Sequence, residues 1–252
     1  MSTKTALITG SSKGIGAAIA SGLSEAGYQV FLTGRDEEQL KQQSAKCKNA
    51  EYLVLDILEP NAPENLIQRA TQSLGRINVL VNNAGCYEWG AVTSPPATLP
   101  KENGDQFSVV EKLFKLNAQI PLELCSLVVP QMKEQKSGRI INIGSISGVV
   151  GEPNASLYSA SKASLIGLTK SLALELAEFG ITVNLVNPGW VKTSMMSENL
   201  SKEEQTKELE TIPQKRWIEP QEVAYLVRFL VSDKAKGITG QSINICAGLS
   251  LG

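Results

Sequence analysis

The 252-residue sequence contains no histidine. That absence removes every triad needing an imidazole base, every HExxH zinc site and every histidine proton shuttle. Acid–base chemistry near neutral pH must then come from another side chain whose pKa its surroundings have moved. Cysteine is scarce: Cys47, Cys86, Cys125 and Cys246 lie far apart and form no CxxC pair. The spacing suggests neither a metal cage nor a disulfide framework, so no metal is expected and a reducing, cytoplasmic setting fits. A surplus of either charge is also lacking. Lys and Arg number 24 against 25 Asp and Glu, a formal net charge of -1. That balance gives no basic stripe for nucleic acid and no polybasic patch for a membrane surface. No apolar run approaches the roughly 18 residues of a membrane span. The opening Met1-Ser2-Thr3-Lys4 leads straight into strand-forming residues, so no signal peptide is expected.

What is present is an ordinary globular composition, 42% hydrophobic and 19% charged. The length suits one large α/β domain or two small ones. Short β-rich runs alternate with helical patterns. Thr5 to Thr9, Tyr28 to Thr33, Glu51 to Leu55, Ile77 to Val81, Arg139 to Ile143, Ile181 to Val186 and Ser242 to Cys246 read as buried strands. Near-continuous apolar strands separated by helices indicate a parallel sheet covered on both faces. Right-handed crossovers then give a Rossmann-type doubly wound sheet of about seven strands, in a single domain over residues 1–252. Long helices are expected from about Gln106 to Lys133 and from about Leu157 to Glu178. Between Cys86 and Asp105, residues Pro95, Pro96, Pro100 and Gly104 mark a loop that is long for a compact domain. It is expected to border a site mouth and narrow substrate choice.

After the first strand comes Thr9-Gly10-Ser11-Ser12-Lys13-Gly14-Ile15-Gly16, then a helical run. Strand, glycine turn and helix is the context of a dinucleotide fingerprint. Glycines let backbone approach a pyrophosphate, and the helix N-terminus offers N–H donors and a favourable dipole. Gly10, Ser12, Lys13 and Ile15 are therefore cofactor-binding candidates. The second strand ends Leu32-Thr33-Gly34-Arg35-Asp36. An acidic residue at that strand end would suit the ribose hydroxyl of NAD; an arginine suits the phosphate of NADP. Arg35 offers a fork of donors, and Lys13 adds a second positive charge. Asp36 sits one step later, where it can cap the next helix. NADP(H) is the expected cofactor.

Four motifs then occur in one order: Thr9-Gly10-x-x-x-Gly14-Ile15-Gly16; Asn82-Asn83-Ala84-Gly85; Ser145 ahead of Tyr158-x-x-x-Lys162; and Asn187-Pro188-Gly189. Over essentially the whole chain they resemble the short-chain dehydrogenase/reductase family. Tyr158 and Lys162 are four apart and share a helix face. A phenol of ordinary pKa near 10 is a poor base, and a nearby ammonium is expected to stabilise its phenolate. Tyr158 would then donate a proton in ketone reduction or accept one in alcohol oxidation. Ser145 follows the strand run Ile140-Ile141-Asn142-Ile143-Gly144, whose carboxyl end borders the ligand crevice. The resemblance implies that Ser145 orients the substrate carbonyl. It implies that Asn117 holds a water linking the lysine to solvent, and that Lys162 also bonds the nicotinamide ribose. Asp56 and Ile57 resemble the adenine-contacting segment; Asp56 is equally able to cap the next segment. Asn83, Ala84 and Gly85 resemble the turn against the adenosine half. Pro188, Gly189, Val191 and Thr193 resemble the segment along the nicotinamide amide and phosphates.

Beyond Gly189, a stretch near 190–212 resembles the family's mobile lid. Trp190, Met195 and Met196 either line an apolar pocket or pack as ordinary core. The run from Ile212 to Ala224 and the segment Gly240-Gln241-Ser242-Ile243-Asn244-Ile245 resemble the 3-oxoacyl-acyl-carrier-protein reductase branch. Three features depart from it. Glu178-Phe179 stands where carrier-docking reductases show arginine, Cys246-Ala247-Gly248 replaces Asp-Gly-Gly, and the segment from Cys86 to Phe107 is longer. An acidic carrier is steered by basic surface, so these departures count against acyl-carrier-protein docking but not against reduction of a small carbonyl substrate. A homotetramer or homodimer built on the two long helices is implied. Two other readings remain open: a dehydratase or epimerase on the same fold, and a non-catalytic NADP-binding sensor or scaffold.

Overall fold

A computed structural model describes residues 3–90, 108–194 and 201–251. Its strands are β1 (Thr5–Ile8), β2 (Gln29–Gly34), β3 (Ala50–Val54), β4 (Val79–Asn82), β5 (Gly138–Ile143), β6 (Ile181–Pro188) and β7 (Ser242–Ile245). They form one sheet in the order β3-β2-β1-β4-β5-β6-β7, and every pairing is parallel. The helices are α1 (Gly14–Glu25), α2 (Glu37–Lys46), α3 (Ala62–Leu74), α4 (Val109–Phe114), α5 (Ile120–Glu134), α6 (Ser147–Val150), α7 (Ser156–Leu176), α8 (Lys202–Thr211) and α9 (Pro220–Leu230). The strand order reverses between β1 and β4, which opens a crevice at the carboxyl ends of those strands.

Successive strand residues point to opposite faces, so the sheet feeds two cores. Ala6, Ile8, Val30, Leu32, Val81 and Ile141 pack with Ile19 and Leu23 of α1 and with Val223 and Val227 of α9. Leu7, Phe31, Leu80, Ile140 and Val183 pack with Leu66 of α3, Leu124 and Val128 of α5 and Leu176 of α7. Strands β1, β4 and β6 are buried from end to end, and β2 and β5 nearly so, as their apolar runs require. The expectation of burial fails at the sheet edges. β3 and β7 are only partly covered, because each has a neighbour on one side only.

The long helix expected from about Gln106 to Lys133 is described without a break from Val109 to Glu134, but with a π-turn inside it. Residues 91–107 lie outside the described residues, as does most of the long loop from Cys86 to Asp105. From Ser108, whose side chain and Glu111 form a capping box, α4 runs only to Phe114. A π-turn, Lys115–Gln119, separates it from α5. The second long helix matches its expectation closely, with α7 ending in a 3₁₀ turn at Ala177–Phe179. Asp36 caps α2, its carboxylate accepting from the Gln39 N–H at 3.0 Å.

Candidate active site

The glycine turn and the β4 turn are built as one unit. Gly10 and Gly14 have positive φ, 61° and 59°, a region that side chains other than glycine rarely occupy. The Asn83 side-chain amide donates to the carbonyls of Thr9 and Gly10, both at 2.9 Å. The Thr9 hydroxyl in turn accepts from the N–H groups of Asn83 and Ala84, at 3.0 and 2.9 Å. Gly16 allows the closest approach: a Cβ there would stand 2.3 Å from the Gly10 carbonyl oxygen. Helix α1 begins beyond Lys13 with no side-chain cap. Its first N–H groups therefore face the crevice beside a cradle that only glycine permits, which fits an anionic pyrophosphate. Thr193, from the segment after β6, packs against Gly14, where a Cβ would meet its Cγ2 at 3.3 Å. Val191 is buried and bridged to Ile218, and Pro188 and Gly189 line the same cleft.

At the cofactor-selecting strand end, Arg35 is exposed and its guanidinium lies 4.0 Å from the Asp56 carboxylate. The other Asp56 oxygen accepts from the Leu58 N–H at 3.0 Å, so Asp56 does shape the turn after β3. Ile57 packs its side chain into the α3-side core. Its backbone is what remains for a ligand. Lys13 is exposed, and Ser12 packs beside Gly34.

Ser145, Tyr158 and Lys162 meet at the carboxyl end of β5. Ser145 and Tyr158 line the same cleft. The buried Lys162 ammonium donates to the Ile143 carbonyl at 3.0 Å. Asn117, inside the π-turn, is buried; its Nδ2 donates to Cys86 O at 3.0 Å and Ser161 Oγ at 3.1 Å, and its Oδ1 accepts from Cys86 N–H at 3.0 Å. π-Turns of this kind recur at functional sites. Gly85 sits between the two groups: a Cβ there would stand 2.9 Å from Asn117 Oδ1 and 3.1 Å from Lys162 Nζ. The whole arrangement opens on a cleft of about 520 Å³ that runs from Ile15 past Ser145 and Tyr158 to Trp89, Trp190 and α8.

A family model described as Enoyl-(Acyl carrier protein) reductase matches residues 10–250. The 3-oxoacyl-[acyl-carrier-protein] reductase FabG of Staphylococcus epidermidis is 38% identical over 251 residues, covering 98% of this chain and 98% of that protein. The protein of the same name from Rickettsia conorii is 38% identical over 247 residues, covering 98% and 96%. A crystal structure of a variant actinorhodin polyketide ketoreductase with NADPH superposes with a TM-score of 0.88 at 34% identity, covering 98% of this chain and 97% of that one. The chain belongs to the short-chain dehydrogenase/reductase family.

Within this short-chain dehydrogenase/reductase site, one expectation is reversed. Lys162 does not bring the Tyr158 phenol down. Burial pushes Tyr158 up to about 12, the Ser145 hydroxyl pulls the other way, and Glu152 and Cys86 add to the rise. Burial also brings Lys162 down to about 8, against a smaller upward pull from Cys86. In each group desolvation by burial is the largest influence.

The sequence reading missed three members of the site. The Tyr87 ring stands edge-on to Tyr158 with centroids 4.8 Å apart. Its hydroxyl donates to Glu152 at 2.8 Å, and Glu152 also accepts from the Ser147 hydroxyl at 2.6 Å. An acidic residue in Gly151-Glu152-Pro153-Asn154, just ahead of the Tyr158 helix, was the available signal. Trp190 answers both readings offered for it: it lines the cleft and packs edge-on against Trp217 at 6.4 Å. Met195 and Met196 lie outside the described residues. Among the described residues, no cluster of three or more His, Cys, Asp or Glu could hold a metal ion, and no helix is long and apolar enough to cross a membrane.

Proposed function

We propose that the protein is an NADP(H)-dependent reductase that converts a ketone, of 3-oxoacyl type or another small carbonyl compound, to a secondary alcohol. The observation that carries this is one cleft that joins Ile15 of the glycine turn to Ser145 and Tyr158, with the buried Lys162 ammonium held on the Ile143 carbonyl at the end of β5. The relatives named as 3-oxoacyl reductases and the ketoreductase crystallised with NADPH support it.

NADPH, when bound, supplies the hydride. Gly10, Ser12, Lys13 and Ile15 would hold its pyrophosphate side, and Asp56, Ile57, Asn83, Ala84 and Gly85 its adenosine side. Pro188, Gly189, Val191, Thr193 and Lys162 would hold the nicotinamide half. Tyr158 gives its proton to the carbonyl oxygen, and its raised pKa keeps that proton in place until negative charge develops on the substrate. Ser145 orients the carbonyl. Asn117 ties the Cys86 backbone to the catalytic helix through Ser161; a free lone pair on its Oδ1 can take the relay water. Helix α8, with Glu204, Lys207 and Glu208 along the cleft, serves as the lid that excludes water. A panel of ketones assayed for NADPH consumption tests the reading. Turnover of none of them would sink it, and release of water from an alcohol without NADPH consumption would favour the dehydratase reading.

Arg35 is the residue for cofactor choice. Replacing it by Ala should lower the preference for NADPH over NADH by roughly tenfold or more, the scale of one lost charge-assisted contact. Dissociation constants for both cofactors check this; an unchanged ratio would remove Arg35 from the role.

The reading includes a homotetramer or homodimer. Leu174 of α7 is 85% exposed and Leu122 of α5 is 49% exposed, apolar surface that a symmetry mate would cover. It also places the protein in a reducing cytoplasm, where the thiols Cys47, Cys86, Cys125 and Cys246 stay free. Carrier docking is left out: Phe179 fills the expected basic position and lies under the Lys133 ammonium, 4.4 Å away.

A further inference from the structure

Beyond Ser145 and Tyr158 the cleft is walled by rings. The chain has three tryptophans. Trp89 and Trp190 line the cleft, and Trp217 braces Trp190 edge-on, with centroids 6.4 Å apart. Tyr87 lines it too, its ring 4.8 Å from that of Tyr158.

These rings are fixed from behind. The Tyr87 hydroxyl donates to Glu152 Oε1 at 2.8 Å, and the Gly90 N–H donates to the Asn154 carbonyl at 2.6 Å. Those two bonds tie the 87–90 segment to the turn between α6 and α7. Glu152 is held in turn by the Ser147 hydroxyl at 2.6 Å. On the other wall, the Ile218 N–H donates to the Trp190 carbonyl at 2.9 Å. Since the Tyr87 hydroxyl is taken by Glu152, that residue offers a ligand its ring. Rings held in place beforehand lose little freedom when a ligand binds. The charge on the walls is one-sided. Among the described residues lining the cleft, Glu152, Glu204 and Glu208 stand against one cation, Lys207. An anionic substrate meets like charge there.

We propose that the substrate is an uncharged ketone whose carbonyl carbon bears an aromatic ring. With the carbonyl at Ser145 and Tyr158, a ring bonded directly to it falls beside Tyr87, and Trp89 and Trp190 lie further along the cleft. Contact between rings adds to what burial of area gives, whereas a saturated ring gains from burial alone. The inference rests on the ketone reduction proposed above and narrows its substrate. The step is unchanged: hydride from NADPH goes to the carbonyl carbon and the Tyr158 proton to its oxygen.

Three ketones of nearly equal size separate ring character from charge. They are methyl 4-acetylbenzoate, its ring-saturated analogue methyl 4-acetylcyclohexanecarboxylate, and the anion 4-acetylbenzoate. Calorimetry measures their binding to the NADP⁺ complex, in which a ketone cannot be reduced. The aromatic ester should bind about 2–10-fold more tightly than the saturated one, the range of one aromatic pair. It should exceed the anion by at least as much. Tyr87→Leu should lower the first ratio, and Tyr87→Phe, which keeps the ring, should preserve it. Glu208→Gln, on a helix that buries no residue, should narrow the second ratio. Equal or tighter binding of the saturated ketone overturns the proposal, as does a first ratio untouched by Tyr87→Leu. Anion binding that matches the ester, or no binding of any of the three, overturns it as well. NADPH consumption with the same ketones is followed alongside. Aromatic preference in binding without any NADPH consumption removes the reductase reading and leaves the ring-lined cleft. NADPH consumption without that preference removes the aromatic substrate and leaves the reductase.

Discussion

Tyr158→Phe should lower turnover by about 10²–10⁴-fold, the range for a lost general acid, and leave NADPH affinity within a small factor of the wild type. The substitution keeps the ring, so the edge-on contact with Tyr87 at 4.8 Å survives. It removes only the hydroxyl, on the cleft that Ser145 also lines. The chain has no histidine to take over the proton. The neighbouring ammonium of Lys162 is brought down to about 8 by burial but remains tied to the Ile143 carbonyl. Initial rates together with an NADPH binding titration check the split. Near-normal kcat would remove Tyr158 from the acid role; lost binding would mean that the side chain holds the cofactor more than it moves a proton.

Gly16→Ala should cost the protein most at the opposite wall of the cleft. The added Cβ would meet the Gly10 carbonyl oxygen at 2.3 Å and the Asn83 amide nitrogen at 2.5 Å. Neither can step aside freely, because the Asn83 amide already bonds the Thr9 and Gly10 carbonyls. The turn must open, at a cost of about 1–3 kcal/mol in stability as for other overpacked sites. NADPH affinity should fall by at least about tenfold, the equivalent of roughly 1.4 kcal/mol. Thermal unfolding and cofactor titration read the two effects separately. Unchanged affinity would mean that the pyrophosphate does not use this turn.

Much of the architecture was legible in the sequence because parallel strands buried on both faces spell themselves out as apolar runs. Val30–Leu32 and Ile140–Ile143 are such runs, and they sit in the middle of the sheet. The edges were harder. Ser242–Ile245 reads much like a buried strand, yet only its place at the end of the sheet order leaves it half-exposed. Asn117 was visible as a residue, but its π-turn was not: a helical hydrophobic pattern carries no mark of one extra residue in a turn. Ser145, Tyr158 and Lys162 could be named from their order. The rise in the Tyr158 pKa could not, because it is set by burial and by Glu152, and neither follows from residue spacing. Tyr87 and Ser147 likewise join the site through folding rather than through a motif.

The most direct test follows the hydride itself. NADPH carrying deuterium on the nicotinamide carbon that gives hydride is incubated with the protein and a ketone that it turns over. The account predicts one deuterium on the carbinol carbon for each NADPH oxidised, with a solvent proton on the new hydroxyl, and loss of the product in Tyr158→Phe. NADPH that binds but stays unoxidised across the ketone panel, or product whose new carbon–hydrogen bond carries solvent hydrogen, would contradict it.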